Sequence, residues 1–181
     1  SPSGADSMRY FKDIYDVNYS LCELVVTNVS PLIGKLLDDV ESTYRIRIIA
    51  TKHKSNGRRI GPGALARDTE ISSGMVLGVI ADPEDIEHFV EKYELKQLTG
   101  LNNFSEDLSA SKAGVAEVVI PPGSSLIGKS ARDVWMRKTY GLAMIGLHRD
   151  GNTLREGDDI RNMELMAGDT LVVHTPWIAL E

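Results

Sequence analysis

The sequence lacks several features that would define a class of protein. Its 181 residues include a single cysteine, Cys22, so no disulfide can form within the chain, which fits a reducing compartment. No apolar run approaches the ~18 residues of a membrane-spanning helix, and no signal peptide opens the sequence. The formal net charge of −6 argues against nucleic acid as a partner, because binding to nucleic acid needs a basic surface.

Patterns for catalysis and metal binding are also missing. The 4 histidines are not spaced as metal ligands, and the chain offers no cysteine pair to complete a zinc site. No Ser-His-Asp triad or pair of catalytic carboxylates can be assembled from the sequence. We therefore expect no metal and no cofactor, and we expect that the chain is not an enzyme.

An internal repeat is the strongest feature that the sequence does contain. The tetrapeptide Leu-Ile-Gly-Lys occupies residues 32–35 and again residues 126–129, so the second copy lies 94 positions after the first, from 32 to 126. Many other positions recur in the same order, and such a repeat defines the architecture. We infer a tandem duplication. The clearest further pairs at this offset are Glu23 with Glu117, Asp39 with Asp133, and Gly74 with Gly168.

A helix precedes each copy. Phe11, Ile14 and Tyr15 make one apolar face of a helix before copy one, and the spacing of Phe11 and Tyr15 recurs at Phe89 and Tyr93 before copy two. A stretch with glycine, asparagine and serine but few large apolar residues then separates the copies. The predicted organisation is a lead-in helix at 1–18, a first domain at 19–95, a linker at 96–114 and a second domain at 115–181.

The fold class follows from the order of elements. Each copy reads as strand, helix, three strands and helix, which predicts an α+β domain with a small, mostly antiparallel sheet. In copy two, Ser130 and Asp133 have the spacing of a capping box at the helix start. The final helix begins at Pro176 and is cut short relative to copy one, so we expect a piece of a longer protein. A copy of about seventy residues is marginal for a lone core, so we expect self-association, within one chain or between chains.

One loop fits a phosphate-binding motif. Residues 123–130 read Gly-Ser-Ser-Leu-Ile-Gly-Lys-Ser, which matches G-x-x-x-x-G-K-[ST] with Lys129 as the phosphate lysine. Too few residues follow it for the parallel sheet of a nucleotide hydrolase. Copy one has Val29 and Leu36 where the first glycine and the last serine would stand. A structural turn is therefore favoured, and a nucleotide hydrolase that uses Lys129 remains the alternative.

A family resemblance rests on a defined set of residues. In copy two the set is residues 117–130, Tyr140-Gly141, Ile145, Arg149 and residues 167–173, with the sequence Ala-Gly-Asp-Thr-Leu-Val-Val. This set resembles the TrkA-C domain, also called RCK-C, and the fold class is thus expected to be two tandem TrkA-C-like domains. Copy one resembles it more loosely, because Arg45 replaces the expected glycine and Met75 the expected acid.

The resemblance implies a function. TrkA-C domains are cytosolic regulatory modules of ion channels and transporters, where they dimerise and in some members bind a small ligand. Tandem copies are similar to the cytosolic insertion of bacterial sodium-coupled divalent-anion symporters. The resemblance therefore predicts a cytoplasmic regulatory, ligand-sensing and dimerisation module of a bacterial ion or anion transporter, whose transmembrane part would be a partner. A free-standing interaction protein that binds a small ligand is the remaining alternative.

An anionic ligand is the hypothesis for what the module senses. Some members of the family bind cyclic di-AMP or other nucleotides, and arginine holds phosphate through two parallel hydrogen bonds. A purely structural dimer without a ligand is the competing hypothesis. The arginines nearest the predicted hairpins are Arg58, Arg59 and Arg67 in copy one, and Arg149 and Arg161 in copy two.

Overall fold

The chain forms two compact units in the computed structural model, which describes residues 4–43, 45–61, 65–134, 136–155 and 159–180. One unit comprises residues 19–107 and holds copy one. The other comprises residues 1–18 and 108–181, so it joins copy two to the helix α1 (Gly4–Tyr15). None of the helices among the described residues is long and apolar enough to cross a membrane.

Copy one builds a five-stranded antiparallel sheet. Along the sheet the strands run in the order β3, β2, β4, β1, β5. The elements of this unit are β1 (Ser20–Val26), α2 (Leu37–Thr43), β2 (Ile46–His53), β3 (Gly57–Ile60), β4 (Val76–Ala81), α3 (Pro83–Lys92) and β5 (Leu95–Gln97).

The helix α3 closes the core of copy one. Its N-terminus is well specified, since the Asp82 side chain accepts a hydrogen bond from the Glu84 N–H at 2.9 Å and proline occupies the first turn. Ile86 and Phe89 are buried on one face of the helix and pack in the same core as Leu24 of β1. The helix thus packs against the sheet face that carries Leu24.

Copy two builds a smaller sheet of the same kind. Its strands lie in the order β6, β9, β7, β8, all antiparallel. The elements are β6 (Ala113–Val119), α4 (Met136–Tyr140), β7 (Ala143–Arg149), β8 (Asn152–Leu154) and β9 (Thr170–Pro176), with short 3₁₀ helices at Ile160–Asn162 and Trp177–Leu180. The prediction of an α+β fold with two small, mostly antiparallel sheets is confirmed.

The repeated tetrapeptide forms the same turn in both copies. Gly34 and Gly128 have φ angles of 88° and 84°, a left-handed conformation that glycine adopts without strain. The N–H of Gly34 donates to the Ile71 carbonyl at 2.8 Å, and the N–H of Gly128 donates to the Leu165 carbonyl at 2.8 Å. The repeat therefore encodes a turn that ties the start of each copy to its later half.

Two local predictions differ from the structure, namely short strands at residues 70–71 and 164–165 and disorder over residues 1–7. The short strands predicted at residues 70–71 and 164–165 are single bridges, Leu36 to Glu70 and Ser130 to Glu164. Helix α1 begins at Gly4, within a segment that composition alone suggests is disordered. Tyr44 and Trp135, which the sequence places in helices, lie outside the described residues.

The capping box of copy two forms, but it does not start a regular helix. The Ser130 N–H donates to Asp133 Oδ2 and the Asp133 N–H donates to Ser130 Oγ, both at 3.1 Å. Hydrogen bonds from the backbone N–H and the side chain of Ser130 favour the ionised carboxyl and lower the pKa of Asp133. Turn structure follows over residues 131–134, and α4 begins only at Met136.

The segment predicted as a linker is largely structured. Residues 95–97 form β5 and pair with β1, and Phe104 is completely buried within the first unit. Residues from Leu108 onward belong to the second unit. The composition of this segment, with few large apolar residues, did not indicate these roles. One buried aromatic residue and a three-residue strand are enough to anchor the segment.

Candidate functional site

Two of the arginines in the ligand hypothesis for copy one are held by carboxylates. Arg58 on β3 contacts Asp107 at 3.0 Å and donates to the Asn103 carbonyl at 3.1 Å. Arg67 contacts Asp38 at 2.8 Å. Arg59 is exposed on β3. Among the residues that the structure describes, it makes no hydrogen bond or ion pair.

Arg149 of copy two is held by two parallel hydrogen bonds. Its Nε and a terminal nitrogen donate to the two carboxylate oxygens of Asp169 at 2.8 and 2.7 Å, and the same terminal nitrogen donates to the Glu164 carbonyl at 2.8 Å. Burial tends to raise the pKa of Asp169, but the bonds from Arg149 and the Met166 N–H outweigh it and lower that pKa. This pair ties β7 to the turn before β9.

Copy one lacks this ion pair because both partners are replaced together. His53 and Met75 stand where Arg149 and Asp169 stand, and Met75 is buried in the core. His53 Nε2 lies 3.0 Å from the Ser73 carbonyl oxygen, so it still contacts the same turn. The pair therefore has a structural role. Copy two holds the turn with an ion pair, whereas copy one holds it with a single histidine contact.

Arg161, the fifth arginine of the hypothesis, is buried with 6% of its surface exposed. It is the repeat equivalent of Arg67, and its carbonyl accepts the equivalent backbone hydrogen bond. The Arg132 N–H donates to the Arg161 carbonyl at 3.0 Å, as the Asp38 N–H donates to the Arg67 carbonyl at 3.0 Å. The structure gives each predicted arginine a position, but the ligand assignment for them stays a prediction.

The loop around Lys129 has few backbone N–H groups to offer a phosphate. The N–H groups of Ser124, Ile127 and Lys129 donate to carbonyls within the loop, and that of Gly128 donates to Leu165. The N–H of Leu126 donates to Ser124 Oγ at 3.2 Å. A phosphate-binding loop needs such groups directed outward, whereas these stabilise the turn.

Cys22 is buried in the core of copy one. Burial, and then the neighbouring charge of Glu23, raise the pKa of its thiol to about 11. A nucleophilic cysteine needs a thiolate near neutral pH. Cys22 is therefore a packing residue.

Apolar side chains are exposed at the repeated turns. Ile33 and Ile127 occupy the same position in the two copies and are 41% and 39% exposed. The preceding leucine of the first tetrapeptide, Leu32, is fully buried. Each turn therefore packs one side chain inward and presents the next one outward.

Copy two also has an open groove that sequence reasoning did not find. It has a volume of about 540 Å³ and lies between β6, the end of α4 and the last 3₁₀ helix. Aligning residues 177–180 with residues 83–86 of α3 would have drawn attention to it. The lining residues are Val118, Thr139, Tyr140, Gly141, Leu142, Ala179 and Leu180.

The chain belongs to the TrkA-C domain family. The family's model matches residues 21–93 and again residues 115–177, so both copies of the repeat are TrkA-C domains. The predicted family and the tandem arrangement are confirmed.

Two curated relatives are named as transporters. The chain is 29% identical over 180 residues to the uncharacterized transporter YfbS of Escherichia coli (strain K12). That alignment covers 93% of this chain and 28% of the relative. It is 25% identical over 170 residues to the uncharacterized transporter sll0640 of Synechocystis sp. (strain ATCC 27184 / PCC 6803 / Kazusa). This second alignment covers 90% of this chain and 27% of the relative. The chain thus spans little more than a quarter of the length of these relatives.

Among solved structures, the GsuK RCK domain is similar over 92% of this chain and 63% of that chain. The TM-score is 0.38 and the sequence identity is 9%.

Proposed function

We propose that this chain is a cytoplasmic regulatory module of a bacterial membrane transporter and that it acts on the transmembrane part of the same protein. The observation that carries the proposal is the extent of the similarity. Both TrkA-C copies and the segment between them align as one block with two proteins named as transporters. A module that keeps its tandem form in such a context is suited to control transport or assembly.

Self-association is part of the proposed role. Ile33 and Ile127 expose apolar surface on turns that the repeat keeps in both copies. Because the repeat keeps these two isoleucines exposed at the same position of both copies, they are the candidates for such a contact. We expect a homodimer, and light scattering on the purified chain measures it. Ile33→Glu and Ile127→Glu should lower the association constant at least tenfold, whereas the matched Val119→Glu substitution, on a strand, should change it less.

An anionic small ligand is the proposed signal, with a nucleotide or cyclic dinucleotide as the class. Arg59 is the starting point, because Arg58, Arg67 and Arg149 are already bound to carboxylates. Calorimetry against cyclic di-AMP, ATP and a dicarboxylate at low and moderate salt tests it, with Arg59→Gln as the variant. Heat that Arg59→Gln does not change would remove Arg59 from the site, and no heat with any compound would refute sensing of these anions.

Catalysis is not part of the proposal. The N–H groups of Ile127 and Lys129 donate to carbonyls within the loop, and that of Gly128 donates to the Leu165 carbonyl. These bonds support a structural role of the loop over nucleotide hydrolysis. The purified chain should show no ATPase activity above a buffer blank. Turnover that Lys129→Ala abolishes would establish the alternative, a nucleotide hydrolase.

A further inference from the structure

The hairpin formed by β2 and β3 is a basic segment of an acidic chain. Residues 52–59 read Lys-His-Lys-Ser-Asn-Gly-Arg-Arg and contain no acidic residue, although the net charge of the chain is −6. Lys52 and Arg58 are direct partners in the pairing of the two strands, so their side chains share one face of the sheet. Arg59, which pairs with Thr51, lies on the opposite face. An anion held by Lys52 and Arg58 would therefore bind on a different face from Arg59.

The face shared by Lys52 and Arg58 is covered by a loop of the same unit. Lys52 Nζ donates to Asn103 Oδ1 at 3.1 Å, and one terminal nitrogen of Arg58 donates to the Asn103 carbonyl at 3.1 Å. The other terminal nitrogen of Arg58 lies 3.0 Å from Asp107 Oδ2. The two cations thus already hold a carboxylate of the chain itself, and Asn103 fixes the loop that places it there.

The contact between Arg58 and Asp107 is weak. The two side chains are 45% and 27% exposed, and Asp107 Oδ2 is shielded from water yet makes no hydrogen bond among the described residues. Arg149 and Asp169, by contrast, form two parallel hydrogen bonds. A partly exposed ion pair of this kind stabilises a protein little, and a better-fitting anion can take the place of Asp107 on Arg58.

The part of the loop before Asp107 is anchored independently of Arg58. Glu23 accepts hydrogen bonds from the backbone N–H groups of residues 102–104 at 2.8–3.0 Å, and Phe104 is completely buried. The Phe104 ring lies against β4 at Gly78, where a Cβ atom would come within 3.0 Å of it. Displacement of Asp107 would therefore leave residues 102–104 in place and release only the residues that follow them.

We propose that Lys52 and Arg58 form a binding site for a small molecule with a dianionic phosphate group, and that Asp107 is the internal competitor for this site. Arginine holds phosphate through two parallel hydrogen bonds, and Lys52 supplies the second positive charge. Binding would release residues 105–107, which end the first unit. The inference extends the anion sensing proposed above, but it does not use Arg59, so either assignment can fail alone.

A double-mutant cycle tests the competition, with inorganic pyrophosphate as the probe in calorimetry at constant ionic strength. Asp107→Asn removes the competing charge and should raise the association constant about two- to sixfold, because the site is no longer partly occupied. Arg58→Gln should lower the constant by about tenfold or more, and Asp107→Asn should then have no effect. Asp68→Asn, the same charge change at an exposed acid of the same unit, is the control and should leave the constant nearly unchanged.

NMR relaxation supplies a second readout. Saturating pyrophosphate should lower the ¹⁵N order parameters of residues 105–107 and leave that of Phe104 unchanged, and Asp107→Asn should do the same without pyrophosphate. Binding that Arg59→Gln abolishes and Asp107→Asn does not alter would overturn this site while leaving anion sensing in place. No heat from the parent chain or from Asp107→Asn would overturn both. Heat from Asp107→Asn alone would support the competition, since Asp107 would then close the site.

Discussion

Glu23 and Glu117 occupy the same position in the two copies, yet their carboxylates accept hydrogen bonds from unrelated segments. Glu23 accepts from the N–H groups of Asn102, Asn103 and Phe104 at 2.8–3.0 Å. Glu117 accepts from the hydroxyls of Tyr10 and Tyr15 of α1. The same strand position thus anchors a loop over one sheet and a helix over the other.

This relationship explains why α1 belongs to the second unit. Successive side chains of a strand point to opposite faces, so Glu117 lies on the face opposite Val118. Helix α1 therefore covers the face that Phe104 and its loop cover in copy one. Outside α1, Arg155 donates to Asp16 at 2.9 Å and reinforces the same contact.

Removing one hydroxyl should loosen α1. Tyr15→Phe deletes a hydrogen bond to the Glu117 carboxylate, which is expected to cost about 1 kcal/mol. Amide hydrogen exchange should become faster throughout α1 and remain unchanged in α3. Tyr140→Phe is the control, since no hydrogen bond is described for that exposed hydroxyl. Equal exchange in α1 for Tyr15→Phe and the parent chain would contradict the proposed anchoring role.

The Arg149–Asp169 pair should behave as a unit. Asp169→Met leaves Arg149 without its two-point partner and should cost about 2–3 kcal/mol, and Arg149→His should cost a similar amount. The double variant recreates the pair of copy one, His53 with Met75, and should lose less than the sum of the single losses. Both tryptophans of the chain, Trp135 and Trp177, lie in copy two, so their fluorescence during urea unfolding reports on that unit. Strict additivity of the two losses would contradict the coupling.

His174 should make the second unit sensitive to acid. It is buried, burial lowers its pKa to about 4, and neither ring nitrogen has a hydrogen-bond partner among the described residues. The unfolded chain binds a proton near pH 6.5 and the folded chain does not until about pH 4. Stability should therefore fall as the pH drops through this window, by about 3 kcal/mol in total.

Replacing His174 with the residue at its repeat position, Ile80, should remove this dependence. His174→Ile also removes two unsatisfied polar atoms, so the second unit should gain about 1–2 kcal/mol at pH 7. Urea unfolding between pH 4 and pH 7, followed by tryptophan fluorescence, measures both effects. The exposed His88→Gln serves as the control, and its pH slope should match that of the parent chain. An unchanged slope in His174→Ile would refute the assignment.

Substitution of two glycines should destabilise the protein because of their backbone conformation alone. Gly74 and Gly168 have φ angles of 83° and 88°, and a Cβ atom at either position would meet nothing within 4 Å. Gly74→Val and Gly168→Val should each destabilise their own unit by about 1–3 kcal/mol through backbone strain. Gly168→Asn should cost less, since asparagine tolerates this region better. Melting temperatures equal to that of the parent chain for both valine variants would contradict the strain.

The repeated sequence predicted what is repeated in the structure. The Leu-Ile-Gly-Lys turns, the α+β class and the two copies all follow from residues whose conformational demands are local, such as Gly34 and Gly128. The sequence did not predict which sheet α1 packs against. The spacing of Phe11 and Tyr15 is that of Phe89 in α3 and Tyr93 directly after it. The two helices nevertheless cover opposite faces of their sheets, and only tertiary contacts decide between those faces.

The candidate ligand residues were the least predictable part. Arginine type and closeness to a hairpin selected Arg58, Arg67 and Arg149, whereas the structure pairs each with a carboxylate that is distant in sequence. For Arg58 the partner is Asp107 and for Arg149 it is Asp169. A sequence pattern reports which cations are present, but it does not report which of them are already neutralised.

The central claim is that this module regulates a transporter, and transport in a complete protein tests it most directly. YfbS carries a segment that aligns with this chain, so three forms can be compared in membrane vesicles: the intact protein, one that lacks the segment, and one in which this chain replaces it. Uptake of a panel of labelled inorganic and organic anions would be measured with and without sodium. We predict that deletion changes the rate or its dependence on an added nucleotide, and that this chain restores the intact behaviour at least in part. Identical uptake by the intact and deleted forms, with and without nucleotide, would contradict a regulatory role.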